Sequence, residues 1–145
     1  MYGVQTNIYT PNYAASGGSA VEGTQIPVNS ALLEEIDQNQ ELQLYAQWLN
    51  QVKSGAKPTG LGAYAWGAAR AFIDALKKVG PKLTRSAMVA ELEKIRDFTG
   101  NGILPPQDIG NRFPADCVIM VELRGGKWVR IAPQRDYLCS TPAKV

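Results

Sequence analysis

The chain has 145 residues, 45% hydrophobic and 19% charged, and its 15 basic and 13 acidic side chains leave a formal charge of +2. That is one domain's length with material for a real core, and it argues against wholesale disorder. The balanced charge offers no basic stripe for nucleic acid, no apolar run approaches the ~20 residues of a membrane span, and the absence of histidine removes Ser-His-Asp and Cys-His nucleophile pairs and every histidine-containing metal site.

The opening MYGVQTNIYT has neither a basic n-region nor an apolar h-region, so it does not read as a signal peptide. Within it, Gly3–Thr10 alternates Val4, Thr6 and Ile8 against Gln5, Asn7 and Tyr9, which predicts a short strand. PNYAASGGSA follows as a Pro/Asn/Ser/Gly-rich loop with room for one helical turn. Glu22–Asn29 predicts a second short strand, kept at a sheet edge or strand end by Pro27. From about Asn39 to Lys53, Leu42, Tyr45, Leu49 and Val52 recur at helical spacing, and Gly55 and Pro58 end the helix.

The next helix spans Gly60–Gly80, with Leu61, Ala65, Ala68, Phe72, Leu76 and Val79 as one apolar stripe. Arg70 and Asp74 stand at i,i+4, and Lys77 and Lys78 suit the negative end of the helix dipole. The first half of this helix is nearly all small residues, so another element can pack very close. A third helix follows Thr84 as N-cap, burying Met88, Leu92 and Ile95, with Gly100 as its C-cap. ILPPQDIGNRFPA is an irregular connector. A hairpin closes the pattern: Cys117–Leu123, the turn Arg124-Gly125-Gly126-Lys127, then Trp128–Ile131 and a loop-like tail. The order β, β, α, α, α, β-hairpin predicts helices layered on a sheet, with few strands for so many helices.

Trp48 reads as a packing residue, Trp128 as a cover for the sheet, and Tyr64 and Trp66 as core or helix-contact residues. Glu34, Glu35 and Asp37 lack the spacing of a calcium loop and read as a solvated face. Glu91, Glu93, Lys94, Arg96 and Asp97 read the same way. SGGS and RGGK have neither phosphate-loop nor dinucleotide spacing. No cofactor is called for, and an enzyme would have to work with carboxylates, Lys, Tyr or Ser alone.

Four stretches together carry a family resemblance: GVQTNIYTPNY, AVEGTQIPV, YAWGAARAFIDALKKVGPKLTRSAMVAELEKI and VIMVELRGGKWVRIAP. Their order and spacing resemble the C-terminal part of a type I periplasmic solute-binding protein, the branched-chain amino acid type that serves ABC importers. The resemblance implies an α/β fold, a partial version of the family's two Rossmann-like lobes. It places residues 1–28 and 115–139 in one lobe and the helices and connector of 29–114 in the other. It implies a small-molecule solute and the membrane subunits of an importer as partners, no catalysis, and a periplasmic or extracellular location. A sensor of the same fold without a transporter and a truncated fragment that binds nothing stay open as alternatives.

On this resemblance, Thr10, Asn12 and Tyr13 of TPNY are the ligand-contact candidates, since ligands of open α/β sheets sit just beyond strand ends. A plain turn is the competing reading. Where amino-acid-binding relatives often carry an acid, this chain has Asn12, which hydrogen-bonds but brings no charge. Amino-acid-like solutes, amides, polyols and aromatic acids therefore all stay open. The only two cysteines, Cys117 and Cys139, read as a disulfide pinning the tail, which suits the implied export. Two buried thiols or a redox pair are the alternatives, the latter without C-x-x-C spacing.

Overall fold

The computed structural model describes residues 6–113 and 115–140. A 3-10 turn at Thr6–Ile8 leads into helix α1, Pro11–Gly17, and a second 3-10 turn at Gly18–Val21. Strand β1 is Gln25–Val28, and a kinked 3-10 segment at Leu33–Gln38 carries the chain to helix α2, Gln40–Val52. Helices α3, Gly60–Val79, and α4, Arg85–Leu92, follow. The chain then returns to the sheet as β2, Cys117–Arg124, β3, Lys127–Ala132, and the short β4, Leu138–Cys139.

The sheet is antiparallel, with β2 between β1 and β3 and β4 pairing the start of β2. Its register sets Ile26 opposite Val121 and Val28 opposite Ile119. Strict alternation along β2 turns Cys117, Ile119, Val121 and Leu123 inward. With Tyr9, Ile26, Val28, Leu32 and Trp128 they make the first core. Pro27 lies in the edge strand, where a missing N–H costs least. The hairpin turn needs φ above zero at both central positions, and Gly125 and Gly126 supply 57° and 74°. Glu22 fixes this turn from outside by accepting both glycine N–H groups, at 2.9 and 2.8 Å.

Helices α2 and α3 enclose a second core of Leu42, Tyr45, Ala63, Ile103 and Leu104. The small-residue face of α3 permits this close approach. A methyl carbon at Gly62 would stand 1.9 Å from Tyr45 Oη, and one at Gly67 2.4 Å from Leu104 Cδ1. Between the helices lies a buried carboxylate. Glu41, 6% exposed, accepts from Trp66 Nε1 at 2.7 Å and Asn101 Nδ2 at 2.8 Å, and pairs with Arg70 at 3.2 Å.

Several expectations are corrected. The strand proposed for Gly3–Thr10 is a 3-10 turn over Thr6–Ile8, and Met1–Gln5 lie outside the described residues. Consecutive Ile8 and Tyr9 both pack on the first core, which a period of two forbids. The buried face of α3 is Gly60, Ala63, Gly67, Ala71 and Ala75, while Leu61 and Phe72 of the expected stripe are 67% and 52% exposed. This helix has two apolar faces, and close packing chose the small one. Val52 and Trp48, expected to pack, are 85% and 51% exposed. Arg70 turns to Glu41 rather than Asp74. The third helix ends at Leu92, short of Gly100, where Arg96 Nη1 donates to the carbonyls of Glu93 and Ile95 and Asp97 turns to φ 51°.

Candidate functional site

Thr10 is itself extended, with φ −141° and ψ 150°, the conformation favoured in a residue preceding proline. Its Oγ1 accepts from the Tyr13 N–H at 3.3 Å and so caps α1. The cap places Thr10 between two concavities. On one side, Thr10, Asn12 and Tyr13 border a shallow open groove of 470 Å³ with Ser16, Gly17 and Val21. On the other, Thr10 borders a deeper cleft of 360 Å³ where β3, α1, the 3-10 segment before α2 and the loop before α3 converge.

The three predicted residues thus meet at the groove, and Thr10 alone reaches the cleft. Asn12 is exposed. Tyr13 is half-buried and has structural work: its ring stacks on Trp128 at 5.9 Å and 21°, and its hydroxyl lies 3.3 Å from Thr24 Oγ1.

The cleft is walled by Tyr9, Pro11, Ala14, Leu33, Ile36, Pro58 and Trp128, with Glu34, Lys57 and Lys127 as its charged groups. Tyr9 is 3% exposed and holds the back of it. Its hydroxyl accepts from the Leu33 N–H at 2.8 Å and donates to Glu34 Oε2. Burial lifts the Tyr9 phenol above its ordinary range, reinforced by the negative charge of Glu34. Burial likewise raises the Glu34 carboxyl above its usual value, against the lowering effect of the Tyr9 hydrogen bond.

Glu34, Glu35 and Asp37 were expected on a solvated face: Glu34 and Asp37 are exposed there, Glu34 also accepting the Tyr9 hydroxyl, whereas Glu35 is half-buried and tied down. Glu35 takes the Arg130 guanidinium in a fork, 2.7 Å from Nε and 2.6 Å from Nη2. The remaining Arg130 nitrogen donates to the Pro133 and Asp136 carbonyls at 3.3 and 2.9 Å. Arg130 thereby spends its donors inside a second, polar cleft of 510 Å³ that it lines with Asn39, Arg135 and Tyr137. The first cleft has the apolar walls and sparse polar groups typical of small-molecule sites.

Sequence reasoning missed Tyr9, Glu34, Lys57 and Lys127 as a group. They come from four segments, and only the fold assembles them. Elsewhere, Cys117 and Cys139 form the expected disulfide across the β2–β4 pair. Trp128 covers the sheet as expected, and Tyr64 and Trp66 pack on the second core. Among the described residues no helix is long and apolar enough to cross a membrane.

Comparison with known proteins bears on this architecture. A leucine binding protein from Thermotoga maritima superposes with TM-score 0.65 at 22% identity, over 90% of this chain and 36% of that one. An extracellular ligand-binding receptor from Rhodopseudomonas palustris gives 0.71 at 19%, over 90% and 39%. A Rhodospirillum rubrum protein provisionally assigned as a branched-chain amino acid ABC transporter gives 0.66 at 23%, over 90% and 36%. The chain thus spans little more than a third of the length of these structures, whose fold it shares. No curated protein matches it. The family model for periplasmic binding proteins matches residues 1–127, nearly the whole chain, and the chain belongs to that family.

Proposed function

We propose that this chain is part of an extracytoplasmic solute-binding component of an ABC-type importer, taking a small polar or amino-acid-like solute without covalent chemistry. The family match over residues 1–127 carries this reading. The cleft beside Thr10 supports it: apolar walls with a few polar groups are what a reversible small-solute site needs. Two of the similar structures are named for leucine binding and for branched-chain amino acid transport, which brings such solutes into the candidate set.

In this reading residues 1–28 and 115–139 belong to one lobe and 29–114 to the other, and binding closes the lobes over the solute. Thr10, Asn12 and Tyr13 are the solute-contact candidates of this reading, Thr10 reaching the cleft and all three bordering the groove on its other side. The test is equilibrium binding by the complete gene product across amino acids, amides, polyols and aromatic acids. A solute that raises the melting temperature and titrates to one site supports the reading. A panel-wide absence of any shift sinks it.

A further inference from the structure

We infer that Asn101 is a self-modification site: when its turn opens, the Gly102 nitrogen converts the Asn101 side-chain amide to a carboxylate, and the closed turn blocks that reaction. A chain that stays open at this turn is thereby changed irreversibly.

The chemistry needs a nucleophile tethered beside its target. Asn101 is the one asparagine of the chain followed by glycine. Attack of the Gly102 nitrogen on Asn101 Cγ closes a five-membered ring, and Gly102 has no side chain to shield that nitrogen. Solvent base takes the Gly102 N–H proton, and the nitrogen attacks Cγ. The bond from Cγ to the amide nitrogen breaks, ammonia leaves with a proton from water, and a cyclic imide remains. Water then opens the imide at either carbonyl, giving an aspartyl or an isoaspartyl residue. Asn101 is exposed, so water reaches it.

The closed turn withholds the nucleophile. Residues 99–102 form a turn with φ 55° at Gly100 and 59° at Asn101, the two positive values of type I′. The Gly102 N–H donates to the Thr99 carbonyl at 3.1 Å and to Thr99 Oγ1 at 3.2 Å. The Gly102 carbonyl accepts from Asn39 Nδ2 at 2.9 Å. Ile103, the next residue, is fully buried in the second core, and its carbonyl accepts from the Ala31 N–H at 2.9 Å. The target is held too, since Asn101 Nδ2 donates to Glu41 Oε2 at 2.8 Å. That bond also makes the change one-way. Either product sets an anionic oxygen where the amide donor stood, against a carboxylate 6% exposed whose single ion-pair partner among the described residues is Arg70. The isoaspartyl form also lengthens the main chain by a carbon, which the bonded turn does not fit.

The experiment is peptide mapping by mass spectrometry on the parent protein at mildly alkaline pH, folded and in urea. Asn101 should deamidate at least about tenfold faster in urea, because the folded chain reacts only through local opening. Asn50, followed by glutamine, is the slow internal reference in both samples. Thr99→Val removes one acceptor of the Gly102 N–H and should speed the folded rate about threefold, with the unfolded rate unchanged. Asn101→Gly keeps the positive φ without the reactive amide, and Asn101→Asp mimics the aspartyl product. Asn101→Asp should have the lower urea midpoint of the two at neutral pH, and the gap should close as acid neutralises the facing carboxylates. An unmodified Asn101 in urea overturns the site. Equal rates in the folded and unfolded chain overturn the block by the turn. An Asn101→Asp variant that matches Asn101→Gly at every pH overturns the one-way character.

Discussion

Glu41 illustrates a charge that the fold can hold only because three groups converge on it. Trp66 and Asn101 donate hydrogen bonds to a carboxylate that is nearly sealed from water, and Arg70 pairs with it. Glu41→Ala strands the Arg70 guanidinium and the Trp66 N–H together, and the expected cost is about 3 kcal/mol. Urea unfolding with an unchanged slope should show it as a lower midpoint. Glu34 makes the opposite prediction, one about pH. Its carboxyl is raised in the fold above the ordinary 4.5, so between that value and its folded one the native state binds more protons than the unfolded state. This group's contribution to stability is present at low pH and is lost as pH rises through the window. Glu34→Gln keeps an acceptor for the Tyr9 hydroxyl and removes the proton, so its melting temperature should gain on the parent's as pH rises above about 4.5. Parallel profiles would contradict that account. Neither role was legible in the sequence: the Trp66 and Tyr9 partners each lie 25 residues from their carboxylates, and nothing local marks them.

At the level of elements, the legible features were those with local causes. Thr84 caps α4 through its own side chain as expected, and Gly80 ends α3 at φ 67°. The two strands of the hairpin announced themselves through β-branched alternation and a Gly-Gly turn. What failed was any inference that needed to know which of two faces a helix buries. The apolar stripe of α3 was correctly seen as apolar, and its small-residue half as a place for close packing, but periodicity alone did not say which face is buried. The same limit applied to Thr10–Tyr13, whose turn chemistry was visible while the cleft beside it was not. The disulfide belongs to this scale as well. It closes a loop of 22 residues and ties β4 to β2, for an expected contribution of about 3 kcal/mol in the chain-entropy model. Cys117→Ser with Cys139→Ser should lower the urea midpoint, and reductant should bring the parent to the same value while leaving the variant unmoved.

For the whole molecule, the exposed apolar side chains are not scattered singly. Leu61, Phe72 and Ile73 lie along one side of α3, with Ala65, Ala68 and Ala69 exposed among them. Contiguous apolar surface of this kind drives association. The 145-residue chain by itself should bind a hydrophobic dye and sediment above its monomer mass. Leu61→Ser with Phe72→Ser should reduce both, at little cost to monomer stability. A loss of stability instead would mean that the face is already covered.

The sheet has a consequence in time as well as in space. Strand β1 is made early, and its partner β2 lies on the far side of the helices: Gln25 and Glu122, whose side chains bond at 2.8 Å, are 97 residues apart in sequence. Pairing over such a span carries a large loop-closure cost, and local contacts form sooner. During synthesis, Ile26 and Val28 stay without their strand partner until residues 119–121 have emerged. The first core, and the cleft wall that Trp128 provides, therefore cannot be completed until β2 and β3 have been made.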